Sequence, residues 1–391
     1  MSLAGKLDRL RGQAPPRAAM SVADRLQHTV RSRGTAQQCK SSANLATALS
    51  ADIEIDGVVV HSATRSMCCD PHDLPLTALP EVAHLRDPNW VYIDTETTGL
   101  SGGVGNLAFM VGMARYNEDG TLALRQFTLA NMAGESRLLC ELSDWLGEDP
   151  VLVSYNGKCF DIPLLAARLR LHRVDDVLSG AAHLDLMYTV RRAYRLHWPD
   201  CRLQTAEREL LDLHRLNDLP GAEAPVAWRA WLQRGATRQL AQTLAHNFQD
   251  VLSLAQLHRR LLADYNGSKR TGVDYASIGR TWDDAGYPQL ALQVWEGAAD
   301  QLDERGQLWK ARRYRRQGDW RRAVAVWSTL SADGNAEAAL ELSKYYEHRR
   351  RDLHAAMHYA VQCETHERQT RCARLRAKLE PARRQLPLIA V

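Results

Sequence analysis

The chain has 391 residues, of which 45% are hydrophobic and 25% charged, and its formal net charge is +4. This composition is typical of a globular protein with two or three domains. No apolar run approaches the ~18 residues that a membrane-spanning helix needs, and no apolar segment near Met1 predicts a secretory signal. The eight cysteines are scattered along the chain, which excludes a dense disulfide framework and predicts a reducing, cytoplasmic location without membrane contact.

The charge is distributed unevenly. Residues 1–50 hold 8 Lys or Arg against 2 Asp or Glu, and residues 301–391 hold 19 against 11. The middle of the chain, residues 51–300, is therefore net negative by 10 charges. An acidic middle needs cations, whereas the basic ends either attract a polyanion or are solvated without a specific partner.

The first 90 residues predict little regular structure. Residues 1–50 are rich in Arg, Ser, Gln and Ala with weak periodicity, which predicts a basic segment that forms short helices or is disordered. Residues 51–90 contain one strand-like run, IEIDGVVVHS, in which Asp56-Gly57 predicts a hairpin turn. We therefore expect a short β-containing lead-in before the first domain.

Residues 91–265 alternate between strand and helix patterns. The apolar run VYI predicts a buried strand, and NLAFMVGMARY and LALRQFTLA flank the turn at 117–120, which predicts a second hairpin. Next come a helix (SRLLCELSDWLG), a strand (PVLVSY), a helix (IPLLAARLRLHR) and a strand that leads into a helix (HLDLMYTVRRAYR). This order predicts an α/β domain with a mixed sheet and helices on its faces.

Beyond residue 270 strand patterns end and a 32-residue repeat begins. Equivalent positions are Trp282, Tyr314 and Tyr346; Ala291, Ala323 and Ala355; Trp295, Trp327 and Tyr359; and Gly286, Gly318 and Arg350. The pattern predicts pairs of helices joined by a turn, with alanine where the helices touch and aromatic rings between units. It resembles the tetratricopeptide repeat, whose usual period is ~34 residues. Residues 271–391 are therefore expected to form an all-α repeat domain.

Asp94 and Glu96 follow the strand-like run at 91–93. Residues i and i+2 of a strand share one face, so the two carboxylates point the same way. Two adjacent anions repel each other unless a cation or a proton lies between them. The pair therefore predicts a cation site, although not a calcium loop, which would need Glu rather than Gly105 at its twelfth position.

Further acids have either a structural or a functional interpretation. Asp161 precedes a helix with Pro163 in its first turn, where Asp is also a favoured N-cap. His246 and Asp250 are four residues apart and share one face of a predicted helix, which suits either a surface pair or a site. Asp185 ends a predicted strand, where a supporting or structural role is expected.

Three motifs carry a family resemblance. The segments DTETTGL, NGKCFD and HNFQD resemble the three motifs of the DEDD 3′–5′ exonucleases of the ribonuclease H-like superfamily. The run from DTETTGLSGG to HNFQDVLSLA, with CRLQTAERELL and LPGAEAP, is especially similar to the YprB-like bacterial group of that superfamily. The resemblance covers about residues 90–265 and implies a ribonuclease H-like sheet for this domain.

The resemblance implies a role for each motif residue. Two divalent ions, Mg²⁺ or Mn²⁺, would be held by Asp94, Glu96, Asp161 and Asp250. The residues implied to contact the terminal nucleotide or to flank the end of the strand are Thr97, Gly99, Leu100, Asn156 and Phe160. His246 would orient or deprotonate the attacking water. Three residues separate it from Asp250, a hybrid of the family's two patterns, in which Tyr has three intervening residues and His has four.

The expected function is a two-metal 3′–5′ exonuclease that trims single-stranded DNA or RNA. One alternative is a structure-specific endonuclease on the same fold. Another is a non-catalytic scaffold whose repeats bind a protein partner. The C-terminal arginines would grip phosphates, bind an acidic protein or simply be solvated; they are Arg312, Arg313, Arg315, Arg316 and Arg349 to Arg351.

Overall fold

A computed structural model describes residues 49–67, 75–99, 105–215, 219–363 and 367–384. The prediction for residues 1–50 therefore lies almost entirely outside the described residues. Within the described ranges, a seven-stranded mixed sheet with flanking helices is followed by a region that contains helices alone. This arrangement confirms the predicted fold class. No helix of the described part is both long and apolar enough to cross a bilayer.

The sheet contains strands from both predicted β regions. Its strands are β1 (Ile53–Ile55), β2 (Val58–Arg65), β3 (Asn89–Thr97), β4 (Ala108–Tyr116), β5 (Leu122–Leu129), β6 (Pro150–Ser154) and β7 (Ala182–Asp185). Their order across the sheet is β1-β2-β5-β4-β3-β6-β7. The pairs β3–β6 and β6–β7 are parallel and the others antiparallel.

The hairpin predicted at Asp56-Gly57 is confirmed. Both turn residues have positive φ, 47° and 83°, as a two-residue type I′ turn requires. Strand β2 pairs with β5 from Val58 to Arg65. The predicted lead-in over 51–90 thus contributes two strands to the same sheet as β3.

Helices cover both faces of the sheet. They are α1 (Glu135–Leu146), α2 (Asp161–His172), α3 (Leu186–Tyr194), α4 (Leu203–Leu211), α5 (Ala224–Arg234) and α6 (Arg238–Tyr265), with short 3-10 turns at Met132–Gly134 and Gly221–Glu223. Val91 and Ile93 of β3 pack in the apolar cluster that includes residues of α1, α2 and α5. Tyr92 faces the opposite cluster, which includes α3, α4 and most of α6. Because side chains alternate along a strand, Asp94 and Glu96 share the face of Tyr92.

The predicted repeats form helix pairs. The helices are α7 (Tyr275–Asp284), α8 (Pro288–Gly297), α9 (Glu304–Arg316), α10 (Trp320–Ala332), α11 (Ala336–Tyr345), α12 (Leu353–Gln362) and α13 (Arg368–Arg384). In the first two units the predicted equivalences hold. Gly286 and Gly318 turn the chain with φ of 88° and 82°. The repeated alanines and tryptophans are fully buried, namely Ala291, Ala323, Trp295 and Trp327.

In the third unit the equivalence of Tyr346 holds, but the predicted equivalences that follow it are wrong by one residue. A π-helical turn, Tyr346–Arg350, follows α11, and such a turn holds one residue more than an α-helical turn. The left-handed residue is consequently Arg351, with φ of 58°, and not Arg350. For the same reason the fully buried alanines of α12 are Ala356 and Ala360, while Ala355 and Tyr359 are half-buried.

The first repeat packs directly on the sheet region. Trp282 Nε1 donates a hydrogen bond to Tyr265 O at the end of α6, 2.8 Å away. The backbone N–H of Asp274 donates to Ala193 O of α3, also over 2.8 Å. Trp282 belongs to the same apolar cluster as Tyr92, so the two regions share a core.

Ion pairs join successive first helices of the repeats. Arg313 of α9 pairs with Asp283 of α7. Further along, Arg312 and Arg315 of α9 pair with Glu337 and Glu341 of α11. Glu347 of the π-helical turn is bound by three cations of α13, namely Arg371, Arg374 and Lys378. Arg316 also approaches Asp283, at 3.8 Å, so four of the seven arginines proposed from sequence as phosphate contacts have acidic partners within the protein.

Candidate active site

Asp94 and Glu96 lie near the carboxyl end of β3, on the face covered by α6. The β3–β4 register shifts between Glu96 and Thr97, and beyond this irregularity Thr98 N donates to Leu107 O over 3.0 Å. Such an irregularity ends regular pairing and redirects the side chains that follow. Glu96 is buried, with 8% of its surface exposed.

Asn247 of α6 holds Asp94, a contact that sequence reasoning did not anticipate. Its Nδ2 donates to Asp94 Oδ2 over 2.8 Å and lies 3.3 Å from Asp94 O. Gln126 of β5 fixes the amide by donating to Asn247 Oδ1 over 2.8 Å. Gly112 is paired with Asp94 in the sheet, and a Cβ there would lie 2.2 Å from Asn247 Oδ1. The close approach of Asn247 therefore requires glycine at position 112.

Thr95 connects the strand acids to Asp161. It points to the opposite face from Asp94, and its hydroxyl donates a hydrogen bond to the carboxylate of Asp161. Asp161 is the first residue of α2; the N-cap position belongs to Phe160, which makes no side-chain capping bond. The N-cap interpretation of Asp161 is therefore not what the structure shows.

Asp185 holds the loop that leads to Asp161. It is buried, with 2% exposed, and it accepts hydrogen bonds from Asn156 N (2.7 Å) and Lys158 N (3.2 Å). It also caps α3 through Met187 N over 3.1 Å. Asn156 has a positive φ of 69°, so this anchored turn determines where the loop ends. The supporting role expected of Asp185 agrees with this geometry.

The predicted nucleotide contacts lie around these two segments. Thr97 Oγ1 donates to Gly99 O over 2.9 Å. A Cβ on Gly99 would come within 2.6 Å of Asn106 Oδ1, so the backbone at Gly99 packs closely against the Asn106 side chain. Leu100 lies outside the described residues. Phe160, next to Asp161, is 47% exposed, which is high for a large aromatic side chain.

His246 and Asp250 lie one turn apart on α6 and face Glu96. His246 Nε2 is 3.4 Å from Asp250 Oδ2 and 4.0 Å from Glu96 Oε1. Arg215, which follows α4, was not among the sequence candidates. Its guanidinium donates to Asp250, and its Nη1 lies 3.2 Å from His246 Nδ1. The buried carboxylate of Glu207 holds this arginine.

Burial and crowding shift the acids' protonation. Burial raises the pKa of Asp94 well above its usual value, and repulsion from Asp250, Asp161 and Glu96 adds to it, while the bond from Asn247 acts against it. Burial likewise raises the pKa of Asp161, against the opposing bond from Thr95. Burial also raises the pKa of Asp250, although His246 and Arg215 oppose the shift. Burial is therefore the main cause of all three shifts, and repulsion among the acids adds to it at Asp94.

The donor set suits a hard divalent cation. Carboxylate oxygens are the ligands that Mg²⁺ and Mn²⁺ prefer, and a cation among these acids would relieve their repulsion. Within the ranges that the structure describes, no three His, Cys, Asp or Glu side chains stand close enough to hold an ion. Thr95, Asn247 and Arg215 each hold one of the acids. Metal binding would therefore require the carboxylates of the acids to move closer together.

The fold and the buried acids define the class of the protein. Residues 91–262 match the model of RNase_H_2, a family described as RNase_H superfamily, whose members are generally hydrolytic nucleases. A curated relative, "Uncharacterized protein YprB" of Bacillus subtilis (strain 168), is 32% identical over 316 residues. The match covers 74% of this chain and 75% of the relative. The chain therefore belongs to one family with YprB, and its residues 91–262 form a domain of the RNase_H superfamily.

A solved structure with some similarity is the family B DNA polymerase from the hyperthermophilic archaeon Pyrobaculum calidifontis. It is 17% identical with a TM-score of 0.36, and the match covers 59% of this chain. The chain spans 29% of the length of that polymerase.

Proposed function

We propose that this protein is a metal-dependent nuclease that removes nucleotides from the 3′ ends of single-stranded DNA or RNA. The observation that carries the proposal is the group of buried and half-buried acids on β3, α2 and α6, where burial and then mutual repulsion raise the pKa of Asp94. A buried cluster of like charges is costly to a fold, and such clusters concentrate at functional sites. A site of this composition in an RNase_H-superfamily domain suits phosphodiester hydrolysis.

Four residues are assigned as metal ligands: Asp94, Glu96, Asp161 and Asp250. Two bound Mg²⁺ or Mn²⁺ ions would supply activation of the attacking water and stabilisation of the leaving oxygen. The protein's contribution is orientation, because Asn247 holds Asp94 and Thr95 holds Asp161. These contacts limit the orientations of the carboxylates, which would still have to move closer together to share an ion.

His246 is assigned to orient the attacking water rather than to remove its proton. A guanidinium only donates hydrogen bonds, so His246 Nδ1, 3.2 Å from Arg215, accepts. The hydrogen of the neutral ring is then on Nε2, which faces Asp250 and Glu96. A ring in this state presents a donor to the site. The exposed ring of Phe160 offers a surface on which the terminal base can stack.

Hydrolysis of end-labelled strands tests this proposal. Purified protein is incubated with 5′-labelled single-stranded DNA and RNA in Mg²⁺ and in Mn²⁺, beside Asp94→Asn and the matched control Asp144→Asn at an exposed position of α1. We expect stepwise shortening by the wild type and the control, and none by Asp94→Asn or in excess EDTA. Cleavage of a circular single strand, which has no 3′ end, would contradict the exonuclease proposal and support the endonuclease alternative.

The tetratricopeptide-like region over 271–391 is proposed to add affinity for the strand. His348, Arg349, Arg350 and Arg351 are four consecutive exposed residues at the π-helical turn. Arg349 lies over the ring of Trp320, 5.3 Å from its centroid. In the described part of the chain, Arg350 and Arg351 have no acidic partner, unlike Arg312 and Arg315. This cluster (His348–Arg351) is therefore the surface of the repeats best suited to phosphates, and a scaffold role is the alternative.

A further inference from the structure

One guanidinium contacts both site residues of α6. Arg215 Nε donates to Glu207 Oε2 over 2.7 Å, and its Nη2 donates to the other oxygen of Glu207. The guanidinium and the carboxylate therefore form a bidentate ion pair. The same Nη2 donates to Asp250 Oδ1. Nη1 lies 3.2 Å from His246 Nδ1. Arg215 thus links α4 to the two residues of α6 that face the strand acids.

The anchor of this arginine is itself fixed. Glu207 of α4 is fully buried, and Ser253 Oγ of α6 donates to its Oε1 over 2.5 Å. The side chain of Arg215 is only 10% exposed. A buried carboxylate without a partner is strongly destabilising, so Glu207 keeps the guanidinium in place. The geometry around Asp250 is therefore set from α4, an element that carries none of the four candidate ligands.

We propose that Arg215 is a positioning residue that holds the Asp250 carboxylate and the His246 ring in the orientation needed for metal binding and hydrolysis. This inference rests on the proposed nuclease function. Arg215 occupies Oδ1 of Asp250 and leaves Oδ2 on the side of His246 and Glu96. A ligand oxygen that is already oriented loses little freedom when an ion binds. Partners of this kind commonly change metal affinity or activity by about 10–100-fold.

A purely structural role is the competing explanation. Arginines also pair with buried carboxylates elsewhere in the protein, as Arg305 does with Asp274 next to α7. If Arg215 served only to neutralise Glu207, removing both members of the pair together would restore the fold and leave the site unaffected. If Arg215 positions the site, the fold would survive the double change but the site would not.

Two variants that preserve the net charge of the site separate these roles. Arg215→Lys keeps the charge but loses the planar fork that reaches Glu207, Asp250 and His246 together. Glu207→Gln combined with Arg215→Gln removes one charge of each sign, so Glu207 is not left as an unpaired buried charge, while Asp250 keeps His246 as a neighbour. Arg208→Lys, at an exposed position of α4, is the matched control. The double change also removes the cation beside Asp250, and this alone would strengthen the binding of a metal ion. Weaker binding therefore reports lost orientation and not lost attraction.

Each variant is measured for thermal unfolding in EDTA, for Mn²⁺ affinity by calorimetry without nucleic acid, and for kcat and KM on a short single-stranded oligonucleotide. We expect the double variant to remain folded, to bind Mn²⁺ about tenfold more weakly and to lose about 10–100-fold in kcat with little change in KM. Arg215→Lys should show a smaller loss of the same kind, and Arg208→Lys none.

Two results have distinct meanings. A folded double variant with the Mn²⁺ affinity and kcat of the wild type would overturn the positioning role while the nuclease proposal stands. Wild-type protein that hydrolyses no strand, yet binds Mn²⁺ more tightly than both variants, would overturn the nuclease proposal and support the positioning of Asp250 by Arg215.

Discussion

The two regions of this molecule treat buried acids in opposite ways. In the sheet region, Asp94, Asp161 and Asp250 lie near one another, and burial raises the pKa of each. In the repeats, Glu347 is buried, with 5% of its surface exposed. Although burial acts to raise its pKa, hydrogen bonds from Lys378 and Arg374 lower it below the usual value. The repeats neutralise their acids internally, whereas the sheet region leaves charge that an external cation can neutralise.

The largest expected effect of breaking this contrast is at Asp94. Asp94→Asn should reduce hydrolysis by orders of magnitude, because a proposed metal ligand is lost, while raising the thermal midpoint in EDTA, because mutual repulsion is relieved. Functional sites commonly trade stability for activity in this way. If Asp94→Asn unfolds at a lower temperature than the wild type in EDTA, the claim that the sheet region leaves its acids without internal neutralisation is wrong.

The stability gained at Asp94 should depend on pH. The pKa of Asp94 is raised in the folded protein above 3.8, the value for the free group. As pH rises above 3.8, the unfolded chain releases a proton that the folded protein retains, so the wild type loses stability through this window. Asparagine cannot ionise, so the advantage of Asp94→Asn should be absent at low pH and grow towards neutral pH. Chemical denaturation in EDTA at several pH values measures it.

The opposite result is expected in the repeats. Glu347→Gln leaves Arg371, Arg374 and Lys378 without their shared carboxylate. Of the three cations only Arg371 is buried, and solvent screens the exposed Arg374 and Lys378. Breaking a buried ion pair costs about 3 kcal/mol, so the unfolding free energy should fall by up to about that amount. Hydrolysis of a short oligonucleotide at low temperature should be unchanged. Loss of that activity in folded protein would place Glu347 in the catalytic machinery instead.

A smaller effect distinguishes the two kinds of arginine in the repeats. Replacing Arg349, Arg350 and Arg351 with Gln should raise KM for long single strands several-fold. The slope of log affinity against log salt should become shallower by about 0.7 for each phosphate that the variant no longer neutralises. Replacing Arg312 and Arg315, whose charges are already paired, should lower stability and leave the salt slope intact. Equal salt slopes in all three proteins would favour the scaffold alternative.

The smallest effect is expected at the turn of the third repeat. Arg351 has the left-handed φ of 58°, a conformation that costs a residue with a Cβ about 1 kcal/mol. Arg351→Gly should therefore raise the unfolding free energy by up to about 1 kcal/mol while removing one charge from the His348–Arg351 cluster. Ala at the same position removes the charge without relieving the strain, so it is the matched control. Equal stability of the glycine and alanine variants would show that the left-handed backbone at Arg351 is not strained.

Local patterns in the sequence predicted the strands, their acids and the first hairpin. Alternation along β3 places Asp94 and Glu96 on one face whatever surrounds them, and Asp56-Gly57 sets its own turn. Arg215 was not predicted, because its importance comes from contacts with residues 8 and 35 positions away. Asn247 adjoins His246 in HNFQD, so proximity to a motif was the one indication of its role.

The third repeat shows a different limit of sequence periodicity. A spacing of 32 residues continues correctly from Asp303 to Asn335, which cap α9 and α11. The π-helical turn then inserts one residue, and no glycine marks the place. Aromatic matching at Tyr359 still favoured the unshifted register, although packing follows Ala356 and Ala360.

Helix α6 gives the protein a mechanical link between its ends. Its 28 residues span about 42 Å at 1.5 Å per residue, with His246 and Asp250 near the middle and Tyr265 at the end that receives Trp282. A force that tilts the helices of the repeats would therefore be transmitted through α6 to His246 and Asp250. The same joint means that cutting the chain at residue 270 would uncover the shared core, so the shortest self-standing catalytic unit should extend through α8.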